Sequence, residues 1–130
     1  MEHYDVVAAV IEYDGKYLCM QRGKTKYEYT SFKYEFPGGK IEKGETPQQA
    51  LKRELEEEMA YEVNIERSLV TVEQTYPDFA ITMEAFLCHA TSPHFILKEH
   101  KDYKWLPMNR MNDLDWAAAD IKVLGYLLKL

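Results

Sequence analysis

The chain has 130 residues, a net charge of −6, 46% apolar residues and two cysteines. That length fits one domain, residues 1–130, and buries roughly two thirds of the unfolded surface, so no disulfide or structural metal is needed for folding. The acidic balance and the lack of a basic run argue against a protein that grips a polynucleotide by its own charge. A phosphorylated small molecule can still be held if divalent cations sit between carboxylates and phosphates.

The N-terminus has no charged-then-apolar leader, and no apolar run approaches the roughly 20 residues of a membrane span. The expectation is a cytoplasmic protein with no membrane partner. Cys19 and Cys88 lie inside apolar runs and are expected to be buried, reduced thiols. There is no CxxC pair. His3, His89, His94 and His100 show no paired helical spacing, so no zinc site is expected and the four read as surface or core residues.

Val6 to Ile11 (VVAAVI) is a continuous, valine-rich run that predicts a buried strand. Asp14-Gly15 predicts a hairpin turn, and Lys16 to Arg22 the return strand. Gly23 to Lys33 is polar and tyrosine-bearing, hence a loop. Tyr34-Glu35-Phe36 leads into Pro37-Gly38-Gly39, where the backbone must bend. Thr46, Pro47 and Gln49 supply an N-cap, a first-turn proline and a capping box. The helix they start should run to about Met59, with Leu51, Leu55 and Met59 as its buried stripe. Strands are predicted over Asn64–Glu73, Phe79–Ala90 and Tyr103–Leu106, with Tyr76-Pro77-Asp78 as a turn. A last helix should start near Ala118–Asp120 and reach the C-terminus, burying Ile121, Leu124 and Leu128. The order implies an α/β layered domain with a mixed sheet covered by helices.

The segment Gly39 to Tyr61, GKIEKGETPQQALKRELEEEMAY, carries the most information. At ~3.6 residues per turn, Glu54, Glu57 and Glu58 share one helical face. Like charges crowded this way disfavour a helix unless something neutralises them. One reading is a solvated acidic face, or one that meets a basic partner. The other is a site for a hard divalent cation, which prefers oxygen ligands. Three features favour the cation: the acidic face abuts the apolar stripe, Arg53 precedes Glu57 by one turn, and a glycine-rich bend precedes the helix.

The spacing Gly39, five residues, Glu45, seven residues, Arg53-Glu54-Leu55, one residue, Glu57-Glu58 closely resembles the box of the Nudix hydrolases. One position departs: Ala60 stands where the family usually has glycine at the turn out of the helix, and Tyr61 follows where an aliphatic residue is usual. Phe36-Pro37-Gly38-Gly39-Lys40 and the hairpin before it are similar to the MutT branch. The resemblance implies an α/β/α sandwich and a Mg2+-dependent (Mn2+ may substitute) pyrophosphohydrolase of nucleoside triphosphates. It implies that Glu54, Glu57 and Glu58 hold the metal with a backbone carbonyl of Gly38 or Gly39, and that Glu45 and Arg53 orient those carboxylates. Glu99, ahead of Trp105, resembles an acidic loop residue that completes the site, and Glu54 or Glu99 would take the proton of the attacking water. Arg22 and Lys40 resemble positions near the phosphates. Phe36 resembles a residue lining the base pocket, and Asp120 one that reads the base edge. Each has a plainer reading as well: surface charges for Arg22, Lys40 and Glu99, a core ring for Phe36, a helix N-cap for Asp120. An ionised Asp120 only accepts hydrogen bonds and suits an exocyclic amino group such as that of cytosine. With the stretch AADI, which resembles the CTP pyrophosphohydrolase branch, it points to cytidine or modified cytidine triphosphates. 8-Oxo-dGTP and a catalytically idle nucleotide-binding domain are the alternatives. Monomer and homodimer both stay open.

Overall fold

The computed structural model describes residues 1–130. Strand β1 (Glu2–Tyr13) turns through Asp14-Gly15 into β2 (Lys16–Gln21). Asp14 and Gly15 both adopt positive φ, and the Gly15 N–H donates to the Glu12 carboxylate at 2.7 Å. The two strands stay paired only beside that turn. They then separate: β1 takes β4 (Gly38–Lys40) as antiparallel neighbour, while β2 takes β3 (Tyr34–Glu35) and β7 (Asp102–Leu106). Beyond β1 come β6 (Phe79–His89), parallel to it, and β5 (Asn64–Thr75), antiparallel to β6. The result is a seven-stranded mixed sheet.

Alternation along β1 divides the core. Val7, Ala9 and Ile11 join Leu18, Met20, Phe86 and Cys88 beneath helix α1 (Pro47–Met59), which contributes Ala50, Leu51, Leu55 and Met59. Ala8 and Val10 join Cys19, Met83, Phe36 and Trp116 beneath helix α2 (Ala118–Leu127), which contributes Ala119, Val123, Leu124 and Leu127. A run such as VVAAVI is apolar at every position because both faces of its strand are covered. The expected α/β/α sandwich is the fold observed, and both cysteines are buried free thiols.

α1 has the predicted bounds and cap: the Gln49 N–H donates to Thr46 Oγ1 at 3.1 Å and the Thr46 N–H to Gln49 Oε1 at 2.9 Å. Elsewhere the structure corrects the expectations. β1 begins at Glu2, because pairing with β6 runs from Glu2–Phe79 to Glu12–His89. Its first residues are polar and gave no apolar signal. Gly38 and Gly39, expected in the bend, form strand β4, and the bend is confined to Pro37. A Cβ on Gly38 would run into the Val7 carbonyl, so glycine is needed there for the close pairing with β1. A 3-10 turn over Met108–Asp113 went unforeseen. α2 ends at Leu127, and of its three predicted core residues only Leu124 is buried; Ile121 and Leu128 are exposed. The helix starts at Ala118 and turns Ala119, Val123 and Leu127, a four-residue series, onto the sheet.

Candidate active site

α1 carries its acidic residues in two environments. Glu54 and Glu58 line a cleft of about 760 Å³, and Glu57 sits at the helix surface, 61% exposed. Arg53 organises the group. Its Nε and Nη2 donate to the two oxygens of Glu45 at 2.6 and 3.0 Å. Nη1 reaches Glu54 at 2.9 Å and Glu57 at 3.2 Å, and Nη2 also donates to the Lys40 carbonyl at 3.0 Å. A guanidinium presents such a planar fork of donors, which an ammonium cannot. The bond from Arg53 holds the Glu45 carboxyl below its ordinary pKa. Lys40 points its ammonium over the Tyr4 ring, 3.9 Å from the centroid, at the cleft wall.

Glu58 is the anomalous member. Its Oε2 is buried and has no hydrogen-bond partner. Burial, then the charge of Glu54 and its hydrogen bond, push its pKa up to about 8, with smaller contributions from Glu99 and Glu35. Gly39 packs directly against the Glu54 carboxylate, where a Cβ would collide. Exposed Glu99 lies between β6 and β7, and its charge reaches Glu58. No three acidic, histidine or cysteine side chains gather into a ready-made metal cage. The residues foreseen for the metal are thus divided: Gly38, Gly39, Glu54 and Glu58 on the cleft, Glu57 and Glu99 at the surface.

The departure at Ala60 turns out to be accommodated. Ala60 adopts the left-handed conformation (φ 47°, ψ 44°) that glycine usually takes, and its N–H donates to the Glu56 carbonyl at 3.0 Å. Tyr61 is buried, packs on Phe95 and donates to the Ser92 carbonyl.

The opposite part of the cleft is assembled from distant segments. Asp120 is 3% exposed and accepts from the Phe36 N–H at 2.9 Å. It is not a helix cap, since the N-cap is Ala117. Burial, then the charge of Glu35, push its pKa up to about 8. Phe36 is a core ring 4.7 Å from Trp116, and it also lines the cleft. Arg22 is not a free surface cation, because its Nε is 2.5 Å from Glu35. The other Glu35 oxygen is 2.8 Å from His100 Nε2. Burial opposes the charge of Glu35, but the bond from His100 and the Arg22 charge outweigh it and hold its pKa low. Sequence reasoning gave Glu35 no role, because nothing local marks an acidic residue between two buried aromatics. The loop 23–33 closes the flank: Tyr27 stacks on Tyr29 at 5.1 Å and Tyr29 on Tyr76 at 5.5 Å, while the Tyr29 hydroxyl donates to Asp78 at 2.8 Å.

An α/β/α sandwich with a capped carboxylate helix beside a cleft, its glutamates organised by one arginine, defines a class of phosphoanhydride hydrolase. Residues 1–127 match the family model of the NUDIX domain, and the chain belongs to the Nudix family. It is similar to the CTP pyrophosphohydrolase of Escherichia coli K12, 33% identical over all of this chain and 95% of that protein. The 8-oxo-dGTP diphosphatase of the same organism is 29% identical over the full length of both. Among solved structures, the solution structure of the E. coli ORF135 protein superposes with a TM-score of 0.83 at 31% identity, covering 100% of this chain and 91% of that one. The protein is a hydrolase of phosphoric anhydride bonds in small nucleotides, from a family that generally uses divalent cations. No helix is long and apolar enough to cross a membrane.

Proposed function

We propose that residues 1–130 form one Mg2+-dependent nucleoside triphosphate pyrophosphohydrolase unit that favours cytidine or modified cytidine triphosphates, releasing a nucleoside monophosphate and pyrophosphate. The observation that carries the reading is Glu58: a half-buried carboxyl beside Glu54, with one oxygen shut off from water and unpartnered. Buried polar atoms are rarely left unpaired, and two adjacent carboxylates fit a hard cation. Glu54 and Glu58 would hold it, with Gly38 or Gly39 offering a carbonyl and Glu57 and Glu99 flanking them. A cation there neutralises phosphate oxygens and makes water a better nucleophile. The chain does the rest. Arg53 fixes Glu54 and Glu45. Lys40 lines the cleft with positive charge for the phosphates, and Arg22, paired with Glu35 and within reach of both Asp120 and Glu58, adds to it from between the two ends. Glu54 or Glu99 accepts a proton from the water that adds at the β-phosphorus as the bond to the α-phosphate oxygen breaks.

At the other end, Phe36 offers a ring face and Asp120 a hydrogen-bonding edge. The 33% identity with a CTP pyrophosphohydrolase supports cytosine, from whose exocyclic amino group an ionised Asp120 would accept a hydrogen bond. A second reading, 8-oxo-dGTP, is favoured by one observation: burial raises the Asp120 pKa and so favours the protonated carboxyl, which donates as well as accepts. Pyrophosphate release from CTP, dCTP, 5-methyl-dCTP, 8-oxo-dGTP and the ordinary triphosphates, with Mg2+ and with chelator, separates them. Metal-dependent turnover greatest on a cytidine nucleotide is expected. A preference for 8-oxo-dGTP would reject the base assignment, and no turnover on any of them would reject the enzyme reading of the site.

A further inference from the structure

Glu99 sits in an irregular segment between β6 and β7 and is exposed. The contacts that tether that segment near Glu99 include the Ile96 N–H to the Met59 carbonyl at 2.9 Å, Lys98 Nζ to the Glu57 carbonyl at 3.3 Å, and the Lys101 N–H to the Gln21 carbonyl at 2.8 Å. Lys98 thus ties one neighbour of Glu99 to α1, and His100 ties the other to the sheet. The His100 side chain is 7% exposed and its Nε2 lies 2.8 Å from a Glu35 oxygen. The other Glu35 oxygen holds Arg22, and the next residue, Phe36, donates its N–H to Asp120. Two hydrogen bonds and two peptide links therefore run from Glu99 through His100, Glu35 and Phe36 to Asp120.

We infer that His100 is a positioning residue: its bond to Glu35 fixes the backbone from which Glu99 projects and ties it to the backbone that carries the base pocket. This rests on the reading of Glu99 as a group of the reaction centre. An imidazole bonded to a buried carboxylate is not needed to fill space, since an apolar side chain would do so without desolvating two polar groups. What it supplies is orientation, and displacing a reacting group by about 1 Å costs roughly 100-fold in rate. Glu35, which the mechanism otherwise leaves idle, serves as the anchor.

The test is a double-mutant cycle on Glu99→Gln and His100→Ala, with kcat and KM measured on CTP and on 8-oxo-dGTP and folding followed by thermal unfolding. H100A should lower kcat by about 10- to 100-fold, with little change in KM. The double variant should be no slower than E99Q, and H100Q, which can still donate to Glu35, should recover much of the loss. If H100A does not fold, H100N, polar but too short to reach Glu35, replaces it in the cycle. Losses that multiply, or an H100A enzyme with unchanged kcat, would overturn the positioning role while leaving the role of Glu99 intact. An E99Q enzyme with wild-type kcat would remove the role of Glu99 and this inference with it.

Discussion

Two carboxyls, half-buried Glu58 on α1 and buried Asp120 on α2, are both pushed up to about 8, and both owe this first to desolvation. They differ in what surrounds them. Asp120 is satisfied within the chain by the Phe36 N–H, whereas Glu58 keeps an oxygen with no partner. Most of the charge at the Glu58 end comes from neighbours on the same helix and the loop before it, Arg53, Glu54, Glu57 and Glu45, with smaller contributions from Glu99 and Glu35. At the Asp120 end it comes from Arg22, Glu35 and His100, three separate segments. One end of the cleft is thus a local helical pattern that leaves a carboxylate oxygen unpaired. The other is a long-range assembly whose polar groups mostly satisfy one another.

The sharpest way to break this comparison is Glu58→Gln. Turnover should fall by about 1000-fold, several kcal/mol of lost charge stabilisation. The protein measured with chelator at pH 8 should melt at a higher temperature, because the isosteric amide carries no buried charge. The sign follows from linkage. A carboxyl whose pKa rises on folding from 4.5 to about 8 contributes stability that is fully present below 4.5 and lost as pH rises towards 8. Asp120 acts in the same direction, and His89, raised chiefly by its bond with Glu12, does too. Chelated wild-type protein should therefore melt progressively lower between pH 5 and 8 (about the span of these shifts), and Mg2+ should restore it. A flat profile would contradict the burial argument for both carboxyls.

Arg53→Lys tests whether the helical end depends on the planar fork. One ammonium cannot bond Glu45 twice while reaching Glu54, so kcat should drop by about 10- to 100-fold. Asp120→Asn sharpens the other end. The change should move the ratio of kcat/KM between CTP and 8-oxo-dGTP by about 10-fold, the worth of one hydrogen-bonded base contact, and leave Mg2+ dependence as it was. A D120N enzyme with altered metal activation would mean that the two ends are not separable. The smallest effect is expected at Ala60→Gly, which relieves a left-handed alanine. It should add about 1 kcal/mol or less, read as a small rise in melting temperature with no change in base preference.

What was legible in advance follows the same division. The capping box, the stripe Leu51–Leu55–Met59 and the spacing of Glu54, Glu57 and Glu58 depend on residues within one or two turns of each other, and helical geometry alone relates them. The sequence by itself therefore determined α1, the layered fold and the carboxylate face. It also marked Phe36 and Asp120, but not that they bond to each other, 84 positions apart. It took the tertiary structure to shut one Glu58 oxygen off from water, unpaired, while Glu57 stays in water. Only it decided that Gly38–Lys40 form a strand, that α2 buries Val123 and Leu127 in place of Ile121 and Leu128, and that Arg22, Glu35 and His100 meet. Those outcomes depend on how the sheet aligns segments far apart in the chain, and no local period encodes that alignment.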